Sequence, residues 1–249
     1  MRKLMLLAAA AAALGLASAA GAAPSAAVGA AVADAGRPQA DRDRDANRKP
    51  AEVLAFAGVK PGMKVGEFIP GGGYYTRLIS KVVGPSGKVY ALWPEGMAKA
   101  RPQMLDGSKA IGPNVQVVTF GSGALDVPEK LDLVWTSENY HDFHNSGPGG
   151  GPPPDINAFN KMVFNALKPG GVYLIEDHAA AAGAGADATS KLHRIDPAQV
   201  KSEVEAAGFK LQAESDVLKV PADAHDKPVF DPSVRGHTDK LLMRFVKPK

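Results

Sequence analysis

The residues best equipped for chemistry lie in three short runs. Asn139-Tyr140-His141-Asp142-Phe143-His144 brings imidazoles and a carboxylate close together, Glu176-Asp177-His178 repeats the combination, and Lys191-Leu192-His193-Arg194-Ile195-Asp196 adds another histidine beside an arginine. Imidazole exchanges protons near neutral pH and a carboxylate can orient it. His141, with Asp142 as its orienter or as a second polar wall, is therefore the first candidate for a base or substrate-positioning group, and His178 the second. A plainer reading stands beside this one, in which Asp142 caps a helix next to a hydrogen-bonded histidine. His193 and Arg194 suit a substrate anion, whereas Asp196 suits the cap of the helix after it. Imidazoles and carboxylates also hold zinc, so His141, His144, His178, Asp142 and Asp177 raise a metal-dependent hydrolase as an alternative. His141 and His144 are three apart and their co-ligands have to come from another strand, so no metal ligand is assigned. The absence of cysteine removes thiol catalysis, thiolate metal sites and a disulfide framework. The sequence holds neither a Gly-x-Ser-x-Gly nucleophile turn nor a P-loop.

Positioning these runs requires a scaffold, and the chain supplies a repeating strand, turn and helix pattern. Strands are expected at Met63 to Ile69, Lys88 to Trp93, Val115 to Phe120, Leu131 to Thr136 and Val172 to Asp177, with helices over Tyr75 to Val83, Met97 to Leu105 and up to Leu167, the last capped by Asp155 or Asn157. Several strands are apolar along most of their length, the mark of a mostly parallel sheet covered on both faces. Residues 146 to 154, rich in Gly and Pro, must be a loop, and the Ala/Gly-rich stretch 179 to 188 reads as a mobile lid. After a helix over Pro197 to Ala207, strands at Phe209 to Val217 and Leu241 to Val246 are expected to pair as an antiparallel edge. Ligands bind beyond the C-terminal ends of such strands, so Ser137 to His144 and Glu176 to His178 are predicted to rim one cleft with Glu67.

Upstream, Arg2 and Lys3 precede an apolar run over residues 4 to 16 and small-x-small motifs at Ala17-Ser18-Ala19 and Ala20-Gly21-Ala22. This is the pattern of a cleavable secretory signal peptide, predicted over 1–23, with the product in the periplasm or secreted and without stable membrane insertion. The 29 lysines and arginines face 26 acidic residues, and without Arg2 and Lys3 the balance falls to +1, which argues against a nucleic-acid partner. Residues 24–44 are expected to be a flexible linker. The alternating charges from Asp41 to Lys49 have two readings, a solvated helix lead-in or basic side chains folded over a ligand pocket. Pro50 to Gly58 reads as a short helix.

Val65-Gly66-Glu67-Phe68-Ile69-Pro70-Gly71-Gly72-Gly73-Tyr74-Tyr75 places a glycine cluster between a strand and a helix, where backbone can approach a ligand closely and helix amides face a polar group. With this turn, and with Leu167-Lys168-Pro169-Gly170-Gly171 before a later strand, residues 45 to 249 resemble the class I S-adenosylmethionine-dependent methyltransferase family, especially its exported predicted-methyltransferase group. The resemblance implies a Rossmann-like seven-stranded sheet of order 3-2-1-4-5-7-6 with strand 7 antiparallel and helices on both faces. It implies S-adenosylmethionine as cofactor, Glu67 at its methionine part, and Gly71 and Gly73 as loop glycines, while a third family glycine falls on Ile69. The family's ribose-binding acid falls at about Trp93, so either Glu95 substitutes or Trp93 stacks on the cofactor, and the adenine region falls at Gly121 and Ser122. The implied activity is methyl transfer to a small-molecule substrate. The alternative is a non-catalytic ligand-binding protein that keeps the fold.

Overall fold

The computed structural model describes residues 23–121, 123–146 and 153–249. The predicted signal peptide, apart from its last residue, lies outside the described residues, as do Ser122 and most of the loop 146 to 154.

Seven strands, β1 (Lys64–Phe68), β2 (Lys88–Pro94), β3 (Val115–Phe120), β4 (Leu131–Ser137), β5 (Leu167–His178), β6 (Lys210–Glu214) and β7 (Lys240–Val246), form one sheet of order β3-β2-β1-β4-β5-β7-β6. β1 to β5 run parallel, and β7 is antiparallel to both β5 and β6. This is the expected α/β architecture and strand order. The helices are α1 (Ala26–Val32), α2 (Gln39–Arg42), α3 (Asp45–Arg48), α4 (Pro50–Ala57), α5 (Tyr74–Val83), α6 (Glu95–Ala100), α7 (Pro102–Lys109), α8 (Ile156–Ala166), α9 (Ala188–Leu192) and α10 (Pro197–Ala206).

The apolar strands bury both faces. Val28, Leu54, Leu78 and Ile79 of α1, α4 and α5 pack with Trp93, Trp135 and Leu174 in one core. Phe159, Val163, Val200 and Val204 of α8 and α10 pack with Tyr173, Ile175 and Phe209 in the other. Because side chains alternate along a strand, Glu176 and His178 fall on the side of Leu174, whereas Asp177 falls on the side of Ile175. The chain leaves β1 for β2 and β3, then returns to β4 on the other flank of β1, so the ends of β1 and β4 frame a crevice. Register across it pairs Glu67 with Trp135 and Phe68 with Thr136.

Three expectations about elements are corrected. The stretch 24–44 is not a flexible linker: Ser25 caps α1 through its hydroxyl, and Val28 and Ala31, one turn apart, are buried against the body. Alanine's helix propensity and small size let α1 lie close to its neighbours, and a composition reading mistakes that for low complexity. The single helix over Met97 to Leu105 is two, broken at Arg101, whose φ −138° and ψ 60° are not helical, because a residue before proline is pushed out of the helical region. The stretch 179 to 188 is pinned: Ala180 N donates to Ile195 O, and the Asp196 carboxylate that caps α10 also accepts from Gly183 N at 2.8 Å.

Candidate active site

The glycine turn and the end of β4 wall a cavity of about 190 Å³ lined by Arg44, Arg48, Glu67, Ile69, Gly71 and Glu138, among others. Glu67 is 3% exposed, and its Oε2 faces no hydrogen-bond partner. Burial pushes its carboxyl up to about 7, against the lowering influence of the Thr76 hydroxyl and of Arg77 and Arg48. A buried, unsatisfied acceptor is costly unless something donates to it, which makes it the natural seat for a ligand N–H. Asn139 stitches the lips of the crevice together, its Nδ2 donating to Ser137 O at 2.6 Å and approaching the carbonyls of Phe68 and Ile69 at 3.3 and 3.4 Å.

Gly71 and Gly73 serve different ends. Gly71 lines the cavity with φ +58° and open space around it, so nothing but backbone meets a ligand there. Gly73 starts α5 with φ +80°, and a Cβ on it would stand 2.5 Å from Ile111 Cδ1. Its lack of a side chain serves packing. Ile69, where the resembled pattern has glycine, adopts φ +46°, a left-handed conformation costly for a β-branched residue. The backbone keeps the glycine geometry although the residue is not glycine.

The charged run before α4 folds over this cavity, as the second of its two readings has it. Arg37 grips Asp45 with two bonds of 2.7 and 2.8 Å, the Tyr74 hydroxyl donates to Asp45 at 2.6 Å, and Arg77 pairs with Asp41 at 2.6 Å. Arg44 and Arg48 stand over the Tyr74 ring. Arg48 is bound to Glu138 at 2.5 Å, and Lys240 holds the other Glu138 oxygen at 2.6 Å. Although burial opposes ionisation, these two cations hold the Glu138 carboxyl far below the usual range. Lys240 continues to Glu176 at 3.4 Å, and Glu176 accepts from Ser137 Oγ at 3.0 Å. Arg44 has no acidic partner within 4.0 Å among the described residues, and burial, then the neighbouring Arg48, lowers its pKa.

The histidines gather nearby, outside the lining of that cavity. Asp177, fully buried, accepts from the backbone N of His141 and of His178, each at 2.7 Å, and from His141 Nδ1 at 2.8 Å. His141 Nε2 then points toward His193 Nδ1 and Asp142 Oδ1, both at 3.3 Å. Burial disfavours charge on His141, but Asp177 and Asp142 overcome it and hold its pKa up to about 10. His178 is the reverse case: burial pushes it down to about 4 despite the Glu138 and Asp177 charges. Its Nδ1 bonds Thr238 Oγ1 at 2.8 Å. At neutral pH the free imidazole lone pair therefore belongs to His178.

Of the predicted site residues, Glu67 and Gly71 meet in the cavity, and His141, Asp142 and His178 meet in the histidine cluster. The single cleft is thus two adjoining centres, linked through Glu138 and Lys240. Trp93 does not stack on a cofactor; it is wholly buried in the core. Glu95 is exposed near Gly121, outside the cavity lining. Arg194 is not a substrate contact: it is fully buried in a two-bond pair with Asp223 and donates to Lys227 O and Ala179 O. His144 turns away to Glu203 at 3.2 Å. Glu138 lies on the predicted rim, where the sequence reading assigned it no role of its own, and Lys240 escaped notice; the faint signal for it was a lysine that register alone sets opposite His178.

No family model matches the sequence, and no curated protein matches it. Solved structures do. A SAM-dependent methyltransferase from Aquifex aeolicus is similar at TM-score 0.55 and 19% identity, over 84% of this chain and 98% of that one. The glycopeptide N-methyltransferase MtfA, complexed with S-adenosyl-L-homocysteine, is similar at TM-score 0.51 and 16% identity, over 79% of this chain and 86% of that one. The [4+2]-cyclase SpnF is similar at TM-score 0.54 and 14% identity, over 87% of this chain and 85% of that one. At these identities the likeness is one of architecture: the chain has the fold shared by S-adenosylmethionine-dependent methyltransferases.

Proposed function

We propose that the protein is an S-adenosylmethionine-dependent methyltransferase acting on a small-molecule acceptor. The observation that carries this reading is Glu67: an unpartnered, buried carboxylate oxygen at the end of β1, facing a cavity under a glycine turn at the sheet's switch point. The residues fit the amino-acid end of that cofactor. Glu67 Oε2 would accept from its ammonium group, Arg44, without an acidic partner among the described residues, would meet its carboxylate, and Gly71 would let the backbone close on it. When bound, the cofactor supplies an electrophilic methyl group on a sulfonium. Glu138, fixed between Arg48 and Lys240, keeps the wall between the two centres rigid, His141 and Asp142 orient the acceptor, and His178 takes its proton.

A second reading, a binding protein without turnover, is favoured by Trp93: where the resembled family carries a ribose-binding acid, this chain buries an indole. The cyclase on the same fold is a reminder that the scaffold does not fix the reaction. Export to the periplasm, proposed from residues 1–23, also favours it, because this cofactor is made inside cells. No helix among the described residues is long and apolar enough to cross a membrane.

Thermal unfolding with S-adenosylmethionine and S-adenosylhomocysteine tests the cofactor. Ligand at about 100 times its Kd adds roughly 2.7 kcal/mol, a Tm rise of several degrees, and Glu67→Ala should abolish the rise. No shift at millimolar ligand rejects the cofactor. His178→Ala that binds the cofactor yet turns over as fast as wild type would remove the proton-accepting role from that residue, and a wild type that binds the cofactor without any turnover would leave the binding-protein reading.

A further inference from the structure

His141 and Asp142 lie just beyond β4, and His193 ends α9, 51 residues after Asp142 in the chain. Their donor atoms nevertheless converge. His141 Nε2 is 3.3 Å from His193 Nδ1 and 3.3 Å from Asp142 Oδ1, and His193 Nδ1 to Asp142 Oδ1 closes the triangle at 3.7 Å. Two imidazole nitrogens do not turn lone pairs on each other at such a distance; a proton or a cation has to lie between them. A tetrahedral ion about 2.0–2.1 Å from its donors spaces them about 3.3–3.4 Å apart, which two sides of the triangle meet and the third approaches.

The surroundings complete the design of a ligand set. His141 Nδ1 donates to Asp177, so Nε2 is the nitrogen that a cation reaches on displacing its proton, and Asp177 is itself fixed by two backbone N–H groups. Metal-bound histidines use this carboxylate support to set ring orientation and raise basicity. His193 is held at φ +53°, a strained conformation for a residue with a side chain, of the sort that persists at functional sites. Side-chain exposure of 47% at Asp142 and 35% at His193, against 4% at His141, gives an ion a way in from solvent.

We propose that His141 Nε2, His193 Nδ1 and Asp142 Oδ1 bind a divalent transition-metal cation of the Zn²⁺ class. Two imidazoles and one carboxylate favour such an ion over Mg²⁺ or Ca²⁺, which take oxygen ligands. Three protein donors leave coordination open for water or for an oxygen or nitrogen of the acceptor. The site forms without a sulfonium ligand and does not rest on the methyltransferase reading.

The test is a Co²⁺ titration of the chelator-stripped full chain, read by the ligand-field absorption of bound cobalt, with Zn²⁺ as competitor. One equivalent should saturate the band, and Zn²⁺ should remove it. His193→Ala and Asp142→Asn, both at accessible positions, should each weaken binding at least about 10-fold, and Asp177→Asn, which keeps every ligand, about 10- to 100-fold. His144→Ala, whose ring pairs with Glu203, should bind as wild type does. Absence of a saturable band in the wild type, or full affinity in His193→Ala, overturns the site whatever the S-adenosylmethionine titration gives.

Discussion

The Glu67 cavity and the histidine cluster share the C-terminal edge of the sheet, but they are assembled differently. Most of the cavity's lining comes from one continuous segment, strand, glycine turn and helix, closed by Arg44 and Arg48 just upstream and by the end of β4. The cluster draws His141, Asp177 and His193 from three separate stretches, joined by β4–β5 pairing and by the Ala179–Ile195 bridge. In the cavity a carboxylate oxygen is left unpartnered; in the cluster Asp177 accepts three bonds. The first centre therefore holds its ligand-binding potential in an unmet hydrogen bond, and the second in side chains already oriented.

The largest effect should come from Asp177→Ala. It strips a buried imidazole and two backbone amides of their acceptor, and breaking such a pair typically costs about 3–5 kcal/mol. Denaturant unfolding measures this, and a loss below about 1 kcal/mol would mean that the cluster is not pre-oriented by Asp177 at all. Glu67 provides the next. Its folded pKa is raised from 4.5 to about 7, so its contribution to stability is fully present below about pH 4.5 and is lost as pH rises through 7. The loss is about 3 kcal/mol at 1.36 kcal/mol per unit. Glu67→Gln should remove that segment of the pH–stability curve; an unchanged curve would show that Glu67 is already paired and the cavity's unmet bond illusory. The smallest stability change belongs to Ile69→Gly. Relief of the left-handed strain, about 1–2 kcal/mol, is offset by the added freedom of glycine in the unfolded chain, leaving stability within about 1 kcal/mol. S-adenosylhomocysteine should nonetheless bind more tightly, and weaker binding in a calorimetric titration would make the Ile69 side chain a ligand contact instead of an obstruction.

Legibility followed how local the encoding was. The Glu67 turn was readable because glycines, strand and helix are contiguous, and α5 and α10 followed from their patterns with shifts of a residue or so at the ends. The helix α1 was not, since alanines that pack closely look the same as alanines in a spacer until a partner surface is present. Trp93 was misplaced for a related reason: at the end of a strand buried on both faces, an aromatic residue serves the core unless the cleft opens beside it. His141, Asp142 and His178 were singled out correctly as neighbours in space. His193 was set aside for an anion, and Arg194 with it, because nothing local distinguishes a ligating side chain from one that closes on Asp223.

By itself the sequence determined the alternation of strands and helices, the apolar faces that force a covered parallel sheet, and the glycine turn at its switch point. These depend on interactions within a few residues or on periodicity, and both are written in order along the chain. The tertiary structure alone decided that Arg48 and Lys240 share Glu138, that Asp177 serves His141, and that His193 completes the triangle with His141 and Asp142. Each needs groups from distant segments brought within hydrogen-bonding range, and only the registers of β4, β5 and β7 and the path of the returning chain fix those distances.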